Sequence, residues 1–239
     1  MTTKRKIVLI ISIILAVAIV CGALYYIFVA LPQQQEQQKH AQWVAQYYAD
    51  KLARYQQENE TYADYEVDVA FLGDSLTDGY DLANYYPQYK TANRGIGGET
   101  TIGLEKRLQV SVYDLKPKVA VMLIGGNNLD TMFQNYEKIL MGLQENLPET
   151  KIVLVSLTAM GKDWGYKNQL AAYNNVTIRK LADKYGYTFV DIFTPLFDEK
   201  TGQIVAEYTN DGVHLTAEGY QVFTDTLTPV LDGLLITEN

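Results

Sequence analysis

The chain holds two histidines, and only His214 lies in a region rich in other polar chemistry. It stands three residues after Asp211 in Asp-Gly-Val-His-Leu-Thr. This spacing sets a carboxylate and an imidazole on the same side of one turn. The aspartate can then accept from the ring Nδ1–H and leave Nε2 facing a nucleophile. A nucleophile is available far upstream: Ser75, in Phe-Leu-Gly-Asp-Ser-Leu-Thr-Asp-Gly, where an apolar run breaks into a turn. The other histidine, His40, sits just outside an apolar N-terminal segment. A serine, a base and a carboxylate that orients the base are the requirements of acyl transfer.

Acyl transfer also needs donors for the oxyanion. Ser75 supplies its own backbone N–H. Gly97-Gly98 can bring a backbone N–H close to a substrate, since glycine adds no Cβ. Asn127, after Gly125-Gly126, can offer a side-chain amide. Singly these are ordinary turn chemistries, and the histidine could be a plain core residue. Their order and joint placement give them meaning.

The rest of the composition narrows the field. Formal charge is −8. Residues 1–66 carry six Lys/Arg and six Asp/Glu, so the deficit falls on residues 67–239. An acidic domain without a basic stripe argues against nucleic acid. The single cysteine, Cys21, lies in the apolar segment, so the folded region has no internal disulfide. Two histidines without a cysteine-rich site do not supply the usual zinc sets.

The elements that must position these residues follow from periodicity. Lys4-Arg5-Lys6 precedes an apolar run from 7 to 31, broken only by Ser12, Cys21 and Gly22. That length suits a bilayer span rather than a signal-peptide core. The basic cluster favours a cytoplasmic N-terminus and an exported remainder. The expectation is a single-pass plasma-membrane protein with its chemistry outside the cytoplasm; a cleaved signal peptide is the alternative. Pro32 is expected to end the span, and Gln33–Gln38 reads as a polar linker. Residues 41–59 carry Trp43, Val44, Tyr47, Tyr48, Leu52 and Tyr55 at helical spacing, as a stalk or as a helix docked on the domain. Short apolar runs at 67–72, 89–93, 118–124, 152–157 and 187–191 predict strands. Amphipathic stretches at 102–111, 131–146, 168–185 and 217–235 predict helices. The alternation indicates an α/β domain with a five-stranded parallel sheet covered on both faces. In such sheets ligands bind beyond the carboxyl ends of the strands, where Ser75, Gly98 and Asn127 all fall.

Taken together, Phe-Leu-Gly-Asp-Ser-Leu-Thr, Asn-Arg-Gly-Ile-Gly-Gly-Glu-Thr-Thr, Ile-Gly-Gly-Asn-Asn-Leu and Asp-Gly-Val-His-Leu-Thr resemble the four blocks of the SGNH, or GDSL, hydrolase family, in the family's order. The resemblance implies a flavodoxin-like three-layer α/β/α fold and esterase or lipase chemistry without metal or other cofactor. Carried over by position, Ser75 matches the nucleophile and Asp211 and His214 complete its triad. Ser75, Gly98 and Asn127 match the oxyanion hole. Asn128 stands where members often have aspartate; the amide keeps an acceptor, loses the charge and gains donors. The α/β-hydrolase elbow, Gly-x-Ser-x-Gly, is absent, since Thr77 lies two residues after the serine.

Between the fourth strand and the next helix, Met160 and Trp164 are candidate pocket walls; Tyr80, Tyr85 and Tyr86 are open to the same reading or to packing. The expected organisation is a cytoplasmic tip and anchor over 1–31, a linker and helix over 32–65, and the hydrolase domain over 66–239. The expected activity is O-acyl ester hydrolysis on envelope carbohydrates. Alternatives are a lysophospholipase or short-chain lipid esterase, and a non-catalytic glycan-binding member.

Overall fold

Residues 2–236 are described in the computed structural model, apart from the side chains of residues 8 and 9. Residue 1 and residues 237–239, at the ends of the first and last expected segments, lie outside the described residues. Two units separate, Met1–Asp50 and Lys51–Asn239.

In the first unit α1 (Thr3–Tyr25) passes through a π-helical turn (Tyr26–Ala30) into α2 (Leu31–Asn59), whose last residues belong to the second unit. This N-terminal stretch contains a helix long and apolar enough to cross a membrane, with none of its apolar window buried against protein. The helix itself continues through Pro32. The proline occupies the first turn of α2, where a missing N–H and a fixed φ are tolerated. The glutamines that follow are good helix formers and stay helical.

The second unit is built on five parallel strands, β1 (Val69–Gly73), β2 (Thr91–Gly95), β3 (Val119–Leu123), β4 (Lys151–Val155) and β5 (Thr188–Val190). Their order is β2-β1-β3-β4-β5, all neighbours parallel. Between them lie α3 (Ser75–Asp78), α4 (Leu82–Tyr85), α5 (Thr101–Lys106), α6 (Phe133–Asn146) and α7 (Asn168–Tyr185). Then come α8 (Phe193–Leu196), the small hairpin β6 (Phe197–Asp198) and β7 (Gln203–Ile204), and α9 (Ala217–Ile236).

Alternate residues of β3, β4 and β5 feed two main cores, which Phe71 and Leu72 of β1 also enter, while Ala70 of β1 and Ala92 of β2 join Val67 and Leu115 in a third, smaller cluster. Phe71, Val121 and Val153 pack with Leu227 and Leu231 of α9. Leu72, Met122 and Leu154 pack with Leu104 of α5, Ile139 and Leu143 of α6 and Ile178 of α7. Both sheet faces are therefore buried, which explains why the strands read as unbroken apolar runs rather than alternating ones. The result is the three-layer α/β/α arrangement in flavodoxin-like strand order. The order of strand addition reverses between β1 and β3, so the connections after those strands run to opposite sides of the sheet and leave a crevice. Tyr80, Tyr85 and Tyr86 are not pocket walls of that crevice: Tyr80 and Tyr86 are buried core, and all three pack among Tyr220, Phe71 and Phe223.

Candidate active site

Ser75 opens α3 immediately beyond β1. Asp74 caps that turn, its Oδ1 accepting from the Leu76 N–H at 3.1 Å. The turn is tight because Gly73 and Gly95 have no side chains. A Cβ at Gly73 would meet Thr77 Oγ1 at 2.1 Å, and one at Gly95 would meet the Asp78 nitrogen at 2.1 Å. The start of α3 thus sits against the ends of both β1 and β2.

His214 arrives on the loop before α9 and reaches Ser75 across 139 residues of sequence. Its Nε2 is 2.9 Å from Ser75 Oγ, and its Nδ1 is 2.6 Å from Asp211 Oδ2. The other carboxylate oxygen, Asp211 Oδ1, accepts from the backbone N–H groups of Val213 (2.9 Å) and His214 (2.8 Å). Burial opposes the charge on Asp211, but the ring and these two backbone donors outweigh it and hold the carboxyl well below the usual range. A carboxylate so held keeps the proton on Nδ1 and leaves Nε2 as acceptor for the serine hydroxyl.

The loop is anchored from behind. Thr209 Oγ1 donates to the His214 carbonyl at 2.8 Å and accepts from the Gly212 N–H at 2.9 Å. Gly212, at φ +93°, approaches so closely that a Cβ would meet the Gly161 carbonyl oxygen at 2.3 Å. The Gly161 N–H donates to the Gly212 carbonyl at 2.8 Å, which couples this loop to the segment carrying Trp164.

Asn127 lies in the turn after β3, its Nδ2 donating to the Glu99 carbonyl at 2.9 Å and 3.5 Å from Asp74 Oδ2. Gly98 precedes Glu99 in a left-handed conformation (φ +75°), with open space where a Cβ would stand. Asn128 has work of its own: it donates to Thr101 Oγ1 at 3.0 Å and accepts from the Thr101 N–H at 3.3 Å. An aspartate there could accept but not donate.

Ser75, Asn127, Asp211, His214, Met160 and Trp164 border one cavity of about 320 Å³, as do Asp74, Thr158 and Lys167. A smaller hollow of about 20 Å³ adjoins it, walled by Leu76, Leu123, Leu157, Met160 and Gly126. Gly98 is not among the residues lining either space. Among the described residues no group of three or more His, Cys, Asp or Glu side chains is arranged to hold a metal ion.

Three parts of the site were not visible in the sequence: Asp74 as a buried carboxyl, Lys167 at the mouth, and a buried arginine behind the loops. Arg107 Nε pairs with Glu99 Oε2 at 3.0 Å, and its other nitrogens donate to the carbonyls of Gly73 (3.0 Å) and Arg94 (2.9 Å) and to Ser111 Oγ (2.9 Å). One guanidinium therefore ties the end of β1 to the end of β2 and to the segment that receives Asn127. Glu99 and Arg107 stand eight residues apart at the two ends of α5, but nothing in the sequence marked them as buried.

A family model described as the GDSL-like lipase/acylhydrolase family matches residues 71–222. None of the curated proteins matches the chain. Among solved structures, a Streptococcus pneumonia protein described as a platelet activating factor is 27% identical, with a TM-score of 0.75, covering 83% of this chain and 99% of its own. A GDSL-like lipase from Bacteroides thetaiotaomicron is 25% identical, with a TM-score of 0.68, covering 77% of this chain and 98% of its own. An acetylxylan esterase from Geobacillus stearothermophilus is similar in fold, at 17% identity and a TM-score of 0.58 over 71% of this chain and 95% of its own.

Proposed function

The chain belongs to the GDSL-like lipase/acylhydrolase family, and as a carboxylic ester hydrolase of that family we propose that it works through Ser75, His214 and Asp211 on short O-acyl groups of envelope carbohydrates. The observation that carries this reading is the continuous hydrogen-bonded chain from Asp211 Oδ2 through His214 to Ser75 Oγ. Ser75 Oγ attacks the ester carbonyl as its proton passes to His214 Nε2. The oxyanion that forms takes hydrogen bonds from the Ser75 and Gly98 N–H groups and from Asn127 Nδ2. His214 then returns the proton to the alcohol oxygen, the C–O bond breaks, and the acyl group stays on Ser75. Water, deprotonated by His214, attacks the acyl-enzyme; the carboxylic acid leaves and Ser75 regains its proton.

Two features support a short acyl group. The hollow adjoining the Ser75 cavity, lined by the flanking residues Asp74 and Leu76, is of about one water's size, enough for a methyl and not for a chain. We place the acyl end there, and the alcohol beside His214 in the larger cavity, where its oxygen must be to receive the proton. A lysophospholipase would need a long apolar channel in the first position.

The same reading makes 1–31 a cytoplasmic tip and anchor, 32–65 a linker and helix, and 66–239 the hydrolase domain, held outside the cytoplasm by a single plasma-membrane span. The apolar N-terminal helix supports tethering, and the basic Lys4-Arg5-Lys6 cluster supports the orientation.

The test uses the full chain in detergent with 4-nitrophenyl acetate, butyrate and octanoate, followed by fluorophosphonate labelling. Hydrolysis should be greatest for acetate. Ser75→Ala should abolish labelling and lower kcat by about 10⁴-fold or more. Full activity in Ser75→Ala would falsify the serine mechanism, and a preference for octanoate would replace the carbohydrate reading with the lipid one.

A further inference from the structure

The cavity around Ser75 is bordered by four ionisable side chains: Asp74, Asp211, His214 and Lys167. Three are engaged with one another or with the site itself. Asp211 holds His214, His214 holds Ser75, and Asp74 faces the Leu76 N–H and Asn127. Lys167 is different. It makes no ion pair among the described residues, and its ammonium rests 4.6 Å from the Trp164 ring centroid and 5.9 Å from that of Tyr166.

Both residues are exposed, Trp164 at 43% and Tyr166 at 78%. A cation held over aromatic faces has its long stem ordered. It is thus presented to whatever occupies the mouth. The domain as a whole is acidic, so a lone unpaired ammonium at this position is not part of a general basic surface. Its side of the cavity is also defined. Asp74, Leu76, Gly126, Thr158 and Met160 border both the methyl-sized hollow and the larger cavity, whereas Trp164, Lys167, Val213 and His214 border the larger cavity only. The leaving alcohol must lie there, since its oxygen takes the proton from His214 Nε2.

We propose that Lys167, laid across Trp164 at the mouth of the Ser75 cavity, selects esters whose alcohol portion is an acidic carbohydrate, with a carboxylate or phosphate placed to meet the ammonium. The proposal rests on the serine-esterase reading above and adds to it the charge of the substrate. The carbohydrate is favoured over a lipid headgroup because the acyl hollow is of a size for an acetyl group, and because the exposed Trp164 borders the cavity with an aromatic ring suited to the apolar side of a sugar.

The experiment compares two esters matched in shape, 3-acetoxybenzoate and 3-acetoxybenzamide, with the full chain in detergent at low salt. The quantity read is the ratio of kcat/KM for the anionic over the neutral ester. The wild type should prefer the anion by about tenfold, the size expected for one charge-assisted contact. Lys167→Gln should bring the ratio close to one, chiefly through KM, Lys167→Arg should restore it, and added salt should erode it in the wild type and in Lys167→Arg but not in Lys167→Gln. A ratio that Lys167→Gln leaves unchanged overturns the assignment. A second arm sets O-acetylated polygalacturonate against micelles of lysophosphatidylglycerol. Faster cleavage of the lipid overturns the carbohydrate class, while Lys167-dependent release of acetate from the glycan is the expected result. Failure to cleave either small ester would instead remove the esterase reading, so the two failures are distinct.

Discussion

Asp74 and Ser75 are neighbours with opposite surroundings. Asp74 is 5% exposed, and burial pushes its carboxyl up to about 6, against the Leu76 N–H and the attraction of His214, with Glu99 adding to the upward pressure. The folded value lies above that of an unfolded aspartate, so between about pH 4 and 6 the native state holds a proton that the unfolded chain has lost. The contribution of Asp74 to stability is therefore fully present below pH 4 and is lost as pH rises through 6, a change of roughly 3 kcal/mol. Asp74→Asn keeps an oxygen for the Leu76 N–H and removes the charge. Thermal melts should show it several degrees more stable than wild type at pH 8 and no more stable below pH 4. An equal difference at both pH values would trace the effect to packing instead. The histidine and the serine were legible from residue type and spacing alone. Asp74 was in the same motif, but its burial depends on the sheet edge closing over it, which no local pattern reports.

The elements carry the site through the contacts between their ends. Arg107 is 2% exposed, and it joins the Gly73 and Arg94 carbonyls to Glu99. Removing it by Arg107→Met would leave Glu99 buried without its cation, a loss of about 3–5 kcal/mol. A urea midpoint that falls accordingly, with Glu99→Gln Arg107→Met less affected than Arg107→Met alone, would establish the ion pair as the cause. Gly95→Ala acts differently. Its Cβ would strike the Asp78 backbone nitrogen and displace the helix that begins with Ser75, so kcat for an acetyl ester should fall by at least about tenfold for a displacement on the order of 1 Å. Sheet and helices were readable because continuous apolar runs and 3.6-residue patterns are strong signals. The second strand lies two residues later than its pattern, at Thr91–Gly95. The stretch 102–111, expected as one helix, stops at Lys106 and resumes as a π turn over Gln109–Tyr113. At Arg107 the backbone leaves helical geometry (φ −114°, ψ 10°), where the guanidinium turns inward to its three carbonyl and hydroxyl acceptors. A local period cannot anticipate a bend whose cause is a long-range contact.

At the scale of the molecule, the last turns of α2 belong with the hydrolase unit and not with the apolar helix before it. Tyr55 is buried, and its hydroxyl donates to the Gly95 carbonyl at 2.6 Å. Arg94, fully buried on the edge strand β2, lies 4.7 Å from the Tyr55 ring, pairs with Glu58 and donates to Asn59 Oδ1 at 3.0 Å. Asn59 Nδ2 in turn donates to the Val110 carbonyl at 2.7 Å. Residues 51–59 thus supply the carboxylate, the ring and the amide that make burial of Arg94 tolerable. Burial lowers the Arg94 guanidinium below its ordinary value while Glu58 opposes that shift, so the pair should act as a unit. A chain trimmed to 51–239 should therefore melt close to the full-length hydrolase unit, whereas one trimmed to 66–239 should melt about 10 °C lower, since a loss of several kcal/mol in a domain of this size shifts Tm by roughly 2–4 °C per kcal/mol. Calorimetry on the two chains decides it: equal melting temperatures would mean that the helix end only rests on the domain. A large gap would mean that the aromatic and charged pattern of residues 51–59, which the sequence left open between a stalk and a helix docked on the domain, is a structural part of the edge strand β2.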